Sequence, residues 1–153
     1  MKNETALRQN PVMDPKKVGL IVFERVAAAD LTGPAEAFSR ANISGGNGCE
    51  SSCYNVLIVG ITAQPCRTEC GIVVKPHTDL ASAPALDTVI IPGGTGIRNE
   101  KVTDTIAQWL NDRSSTTRRI ATLGTGIYPL AATGMLDDRQ VATHWRYATD
   151  VAQ

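Results

Sequence analysis

The stretch RIATLGTGIYPLAATGML, residues 119–136, decides the fold because its character changes twice within a few positions. An apolar segment at residues 120–123 runs into Gly124-Thr125-Gly126 and then into a helix-like pattern. Many α/β enzymes hold a nucleophile at such a strand–turn–helix, since the tight turn lifts one side chain clear of the sheet. The tip residue here is Gly124, which has no side chain. The stretch therefore indicates either a catalytic site that has lost its nucleophile or a binding pocket that works without one.

Three other apolar runs are typical of strands buried on both faces of a parallel sheet: residues 18–23 (VGLIVF), 54–60 (YNVLIVG) and 89–91 (VII). Helical spacing follows the first run from Leu31, with Pro34 in the expected first turn. This alternation predicts an α/β fold, a flavodoxin-like parallel sheet with helices on both faces. The three runs and residues 120–123 are its predicted central strands. Residues 72–75 are predicted as a short strand in a hairpin with residues 62–68.

Length and charge limit the possible classes of protein. A chain of 153 residues predicts one domain, which we place at residues 18–153. Fifteen basic residues balance fifteen acidic ones, so the chain lacks the net positive charge that is typical of a stand-alone nucleic-acid binder. No apolar run approaches the length of a membrane span. Residues 1–17 are polar and carry two prolines, which predicts a disordered lead-in rather than a signal peptide. We therefore expect a cytoplasmic protein.

The four cysteines fall into two C-x-x-x-C pairs, Cys49/Cys53 and Cys66/Cys70. A four-cysteine metal site or a disulfide between flanking loops is one interpretation. The chain has only two histidines, however, and reduced cysteines are usual in a cytoplasmic protein. We therefore expect ordinary thiols, with neither a metal nor a cofactor.

Candidate site residues follow three of the predicted strands. Asp30 comes soon after the first strand, Gly93 and Gly94 follow the third, and Gly124 and Thr125 follow the fourth. Ligands of parallel α/β sheets bind beyond the carboxyl ends of the strands. We therefore expect these residues to converge on one pocket.

Each of these residues has a functional and a structural interpretation. Asp30 is either a site carboxylate or the N-cap of a helix that starts near Thr32. Gly93 and Gly94 form either a plain tight turn or a turn whose N–H groups point into the pocket as an oxyanion-type cradle. A glycine at position 124 enlarges the pocket and leaves two N–H groups of the following helix open to an anion or carbonyl.

His144 is the last candidate. With Trp145 and Tyr147 it forms either a proton-active aromatic cluster or, as the residues favour, a strand whose aromatic side chains pack against neighbouring helices.

Four motifs together resemble the ThiJ/PfpI superfamily: D-x-x-G-P-x-E-A-F at residues 30–38, L-D-T-V-I-I-P-G-G at 86–94, T-G-x-x-x-L-A-x-x-G-x-L-D at 125–137 and T-H-W-R-Y at 143–147. Their order is more specific than any one of them. The resemblance is to the branch that contains isonitrile hydratase and the amidase-like N-terminal domains of AraC-type transcriptional regulators.

The resemblance implies roles for the candidate residues. The family's elbow cysteine falls on Gly124, and the acidic residue that hydrogen-bonds its thiol falls on Asp30. The resemblance also favours the pocket interpretation for Gly93 and Gly94 and brings His144 to the pocket rim as a ligand contact. The chain ends at Gln153, where family members continue, so a fragment or a C-terminally shortened domain is expected.

The function implied is a dimeric domain of an AraC-type regulator that senses a small-molecule ligand in a pocket without the catalytic cysteine. DNA would be bound only through a helix-turn-helix domain that this chain does not contain. The alternative is an isonitrile hydratase-like or amidase-like enzyme, which the missing thiol disfavours. A third possibility is an oligomerisation module that binds no ligand.

Overall fold

The computed structural model describes residues 14–43, 53–143 and 145–151. Most of the predicted lead-in, at residues 1–13, lies outside this part. Seven strands are described: β1 (Lys16–Val22), β2 (Tyr54–Gly60), β3 (Cys66–Arg67), β4 (Val73–Val74), β5 (Thr78–Asp79), β6 (Thr88–Ile91) and β7 (Arg119–Thr122). The α-helices are α1 (Ala28–Ile43), α2 (Glu100–Arg113), α3 (Ile127–Ala131) and α4 (Ala148–Val151). Three 3₁₀ turns accompany them, at Thr95–Arg98, Gly124–Gly126 and Trp145–Tyr147.

Five strands form one parallel sheet in the order β5-β2-β1-β6-β7. Four of them are the apolar runs of the sequence, with boundaries shifted by two residues at most, and the α/β fold is confirmed. The predicted hairpin is also confirmed, because β3 and β4 pair in antiparallel fashion. The two-residue strand β5 carries no apolar run and was not predicted.

The core lies on both faces of the sheet because successive strand residues point to opposite sides. On one face Val18, Leu20 and Val22 of β1 meet Leu31 of α1 in one buried cluster. On the other face lies the larger cluster, which includes residues of β1, β6 and α2. Burial on both faces explains why β1 is uninterruptedly apolar from Val18 onward.

Strand β7 is an edge strand, whereas the sequence placed it among the central strands. Ile120 is half-buried and packs against the α2-side core, but Arg119 and Ala121 are exposed. The difference arises because α1 packs against β1 and β2, so it leaves the same side of β7 uncovered. An apolar run predicts a strand well, but it does not fix the position of that strand in the sheet.

Helix α1 begins earlier than expected, which excludes one of the two interpretations of Asp30 and corrects the position of Pro34. Asp30 lies in the first turn of the helix and is not its N-cap. Pro34 lies inside the helix rather than in its first turn. Because proline has no N–H, the carbonyl of Asp30 has no donor from within the helix at that position.

The segment after α3 contains no strand in its described part. Residues 139–143 have no regular structure, and Trp145–Tyr147 form a 3₁₀ turn. Trp145 is 81% exposed, so the predicted packing of a strand against helices is wrong for this side chain. His144 itself lies outside the described residues.

No helix in the described ranges combines the length and apolar character needed to cross a bilayer.

Candidate functional site

The predicted strand–turn–helix is present at the carboxyl end of β7. The N–H of Leu123 still donates to the carbonyl of Ile91 in the neighbouring strand (3.0 Å), and the 3₁₀ turn begins one residue later. Gly124 has φ +50°, a conformation that side chains of L-residues disfavour. At Gly126 a Cβ would collide with the carbonyl oxygen of Ile91. The close approach of the turn to β6 therefore requires a glycine at position 126.

Asp30 lies in the first turn of α1 and contacts the loop that follows β6. Its Oδ2 accepts a hydrogen bond from the N–H of Gly93 (3.0 Å). A backbone bond from the N–H of Ala27 to the carbonyl of Gly93 (2.9 Å) ties the same two segments together. The start of α1 is thereby fixed against the loop after β6, which holds the carboxylate at the site.

Thr125 fixes the other side of that loop. The N–H of Gly94 donates to Thr125 Oγ1 (3.0 Å), and the Thr125 hydroxyl lies 3.3 Å from the carbonyl oxygen of Gly94, to which it donates. The N–H groups of Gly93 and Gly94 are thus both engaged by protein side chains. This corrects the expectation of an oxyanion-type cradle, because these two donors hold the site together instead of facing a ligand.

The position above Gly124 is open. A Cβ on Gly124 would lie 3.8 Å from Asp30 Oδ2, and no other atom of the described residues outside its own chain neighbours would lie within 4 Å. Within the described part of the chain, the N–H groups of Gly124 and Thr125 have no hydrogen-bond acceptor. The carbonyl of Gly124 accepts from Thr143 Oγ1 (3.0 Å). A side chain at this position would point towards the carboxylate, as an elbow nucleophile would.

These residues line one cleft of about 230 Å³, here called the elbow cleft. Its lining residues are Asp30, Glu69, Gly93, Gly94, Thr95, Arg98, Gly124, Thr125 and Tyr147. Five of the six predicted site residues are brought together in it, and the sixth, His144, lies outside the described residues.

Four lining residues were not among the predicted site residues, although Tyr147 belongs to the T-H-W-R-Y motif. Glu69 comes from the turn of the β3–β4 hairpin, where its Oε1 accepts from the N–H of Thr95 (2.6 Å). Nothing in the local sequence marks Glu69, because its position depends on the pairing of two short strands, β3 and β4. Thr95 directly follows the Gly93-Gly94 pair, and that adjacency was a usable signal.

Arg98 and Tyr147 form the outer rim of the elbow cleft. The Arg98 guanidinium lies 5.0 Å from the centroid of the Tyr147 ring and 3.5 Å from Asp150. Asp150 also accepts from the hydroxyl of Tyr128 (3.2 Å). Burial, and then the nearby Asp150 carboxylate, raise the pKa of Tyr128 above its usual range, so this phenol is a hydrogen-bond donor rather than an anion at neutral pH.

The described residues give the elbow cleft no activated nucleophile. Neither cysteine nor serine occurs among the lining residues that the structure describes. The hydroxyls of Thr125 and Thr143 lie at the elbow, but they are bonded to backbone groups of Gly94 and Gly124, respectively, and to no basic side chain of the described residues. A hydroxyl needs such a base to attack a carbonyl or a nitrile-type carbon.

The described cysteines do not line the elbow cleft. Cys53, Cys66 and Cys70 are free thiols, and Cys49 lies outside the described residues. The Thr68 hydroxyl, 3.3 Å from Cys70 Sγ, lowers the pKa of that exposed thiol, whereas burial raises the pKa of Cys66. Among the described residues, no group of His, Cys, Asp and Glu side chains is arranged to hold a metal ion.

The sequence matches the DJ-1/PfpI family over residues 16–153, and the chain belongs to this family. A protein of Streptomyces lividans, the uncharacterised protein in the cpoL 5′ region, is 32% identical over 139 residues, or 91% of this chain and 94% of that protein.

Two relatives have named functions. The isonitrile hydratase of Pseudomonas putida is 25% identical over 86% of this chain, which spans 53% of that enzyme. The HTH-type transcriptional regulator GbdR of Pseudomonas aeruginosa is 26% identical over 86% of this chain, which spans 35% of that regulator. The chain thus corresponds to only part of either protein.

Solved structures show the same fold. An AraC family transcriptional regulator from Pseudomonas putida has a TM-score of 0.73 at 19% identity, over 90% of this chain and 71% of the other. A two-domain protein from Anabaena variabilis with DJ-1/ThiJ/PfpI-like and ferritin-like domains has a TM-score of 0.74 at 16% identity, over 90% of this chain and 37% of the other.

Proposed function

We propose that residues 18–153 form the ligand-sensing domain of an AraC-type transcriptional regulator, with an amidase-like pocket that has no catalytic nucleophile. The observation that carries the proposal is the elbow. Asp30, Thr125 and the glycine turns are in place, but the position that would aim a nucleophile at Asp30 is Gly124. Such a site retains a shaped polar cleft and lacks the group that makes a covalent bond.

Similarity to GbdR and to the Pseudomonas putida regulator supports the regulatory context. In this proposal DNA binding belongs to a helix-turn-helix domain outside the chain, and the protein works in the cytoplasm. The uncovered side of β7, where Ala121 is exposed, supports association as a homodimer. Sedimentation over a range of protein concentrations tests this point, and a monomer throughout would contradict it.

The alternative is an enzyme of the isonitrile hydratase or amidase type. It is favoured by the retained Asp30, which lies beside the elbow as a proton-handling group would. The missing thiol weighs against it, because loss of the nucleophile of a concerted catalytic unit typically lowers turnover about a millionfold.

Two measurements on the unmodified protein test the proposal. A thermal-shift screen of small polar metabolites should find ligands whose stabilisation is lost in Asp30→Asn, while incubation with isonitriles and amides should give no product above background. Asn is a suitable replacement because its amide oxygen still accepts from the Gly93 N–H. Turnover that Asp30→Asn abolishes would establish the enzyme instead, and a screen without any ligand would favour the oligomerisation module.

A further inference from the structure

The open space above Gly124 is bounded on one side by a carboxylate. Among the described residues, its only close neighbour outside the adjacent residues is Oδ2 of Asp30, which lies 3.8 Å from the Cβ position of Gly124. This oxygen already accepts one N–H, from Gly93, and a carboxylate oxygen can accept more than one hydrogen bond. A group that fills the space therefore meets an acceptor and a negative charge. Next to this oxygen, such a group is satisfied if it donates a hydrogen bond.

The charges around the elbow cleft point the same way. Two carboxylates, Asp30 and Glu69, line it, and neither forms an ion pair with a residue of the described ranges. Arg98, the one cation among the described lining residues, is already beside Asp150 (3.5 Å) and over the Tyr147 ring. Arg25 is not part of this lining, and its Nε donates to Thr95 Oγ1 (2.9 Å). The inner part of the elbow cleft is thus left with a negative charge that its own cations do not neutralise.

We propose that the elbow cleft selects a ligand with an N–H-bearing cationic head group, such as a primary ammonium, which occupies the space above Gly124 and donates to Asp30. The inference rests on the proposed function and names the ligand class of that site. The ligand's charged group takes the place that a side chain fills in relatives with an elbow nucleophile. Glu69 adds a second carboxylate in the same lining and favours a cation over a neutral donor.

Three four-carbon probes test the ligand class: n-butylamine, which is cationic at neutral pH, n-butanol and butyrate. Binding is measured by thermal shift and by calorimetry. We expect n-butylamine to bind and stabilise the protein, n-butanol to bind at least about tenfold more weakly, and butyrate to give no shift. A hydrogen bond between charged groups is roughly twice as strong as a neutral one, and like charges repel.

Two variants localise the binding. Gly124→Ala places a methyl group in the space beside Asp30 Oδ2, and Asp30→Asn removes the charge but retains an acceptor. Each should weaken n-butylamine binding about tenfold or more. Gly134→Ala is the matched control, because Gly134 also has positive φ (+76°) and its Cβ would lie 3.6 Å from a carboxylate oxygen, that of Asp137, outside the elbow cleft. It should bind n-butylamine like the unmodified protein.

The outcomes separate the two proposals. Binding of butyrate or n-butanol in preference to n-butylamine, lost in Gly124→Ala, would overturn the ligand class but leave the elbow cleft as a sensing site. Binding of n-butylamine that neither Gly124→Ala nor Asp30→Asn weakens would place it elsewhere and overturn the inference. Failure of all three probes would also overturn it, while the metabolite screen decides the proposed function independently.

Discussion

Gly124 and Gly126 lie two residues apart in one turn, yet their surroundings are opposite. A Cβ at Gly126 would strike the carbonyls of Ile91 and Pro92, whereas a Cβ at Gly124 would meet no described atom nearer than Asp30 Oδ2 at 3.8 Å, apart from its chain neighbours. Packing therefore dictates glycine at position 126. At position 124 there is room for a side chain, and only the positive φ (+50°) opposes one. The turn thus retains the shape of an elbow independently of the residue at its tip.

The largest effect is expected at the packed glycine. Gly126→Ala forces a methyl group into backbone atoms of β6 and the residue after it, which cannot move aside as a side chain can. We expect a loss of about 3 kcal/mol in the free energy of unfolding, the upper end of the usual range for overpacking. Urea denaturation measures it.

Gly33→Ala is the control for this substitution. Gly33 lies in α1, and a Cβ there meets nothing within 4 Å. Replacing it should stabilise the protein by about 0.5–1 kcal/mol, because alanine loses less backbone entropy in a helix. If Gly126→Ala were no more destabilising than Gly33→Ala, the close packing of the turn against β6 would be wrong.

An intermediate effect is expected at Thr125, which holds the frame around the open position. Thr125→Val keeps the shape but leaves the Gly94 N–H without its acceptor. An unsatisfied, partly buried donor costs about 1–3 kcal/mol, so we expect a loss of that order in urea denaturation. Thr105→Val is the control, since Thr105 Oγ1 donates to a carbonyl on an exposed part of α2. It should change stability by less than about 0.5 kcal/mol. Equal losses in the two variants would show that Thr125 does not support the turn.

The sequence predicted the residues that hold the site together better than the other residues that line it. Asp30, Gly93, Gly94 and Thr125 were predictable because each follows an apolar strand, and parallel strands end at one edge of the sheet. The hydrogen-bond acceptors of the Gly93 and Gly94 N–H groups were not predictable, since they depend on which side chains pack against this turn. Glu69 was missed because it belongs to none of the motifs, and only the β3–β4 pairing brings it to Thr95, which is 26 residues away in the sequence.

The fold shows the same division between local pattern and packing. Apolar runs located four strands of the sheet within two residues, because burial on both faces demands continuous apolar sequence. The edge position of β7 and the earlier start of α1 escaped prediction. Ala121 is exposed only because α1 packs elsewhere, and the burial of a residue beneath a helix is not encoded in its own strand.

The smallest effect on stability, and the most informative one on chemistry, is expected at the open glycine. Gly124→Cys introduces a side chain at positive φ, which costs about 1–2 kcal/mol, but it meets no steric obstacle. The reactivity of the new thiol then reports on its neighbours. The open N–H groups of Gly124 and Thr125 favour the thiolate and lower the thiol pKa, whereas a charged Asp30 disfavours it and raises that pKa. Iodoacetamide alkylation as a function of pH, followed by mass spectrometry, should therefore shift to lower pH when Asp30→Asn is added to Gly124→Cys. Cys70, an exposed thiol outside the elbow cleft, serves as the internal reference, because its alkylation should be the same in both variants. If the alkylation profile of the new thiol did not respond to Asp30→Asn, the carboxylate would not face the space above Gly124, and the elbow would have lost the geometry of a catalytic site as well as its nucleophile.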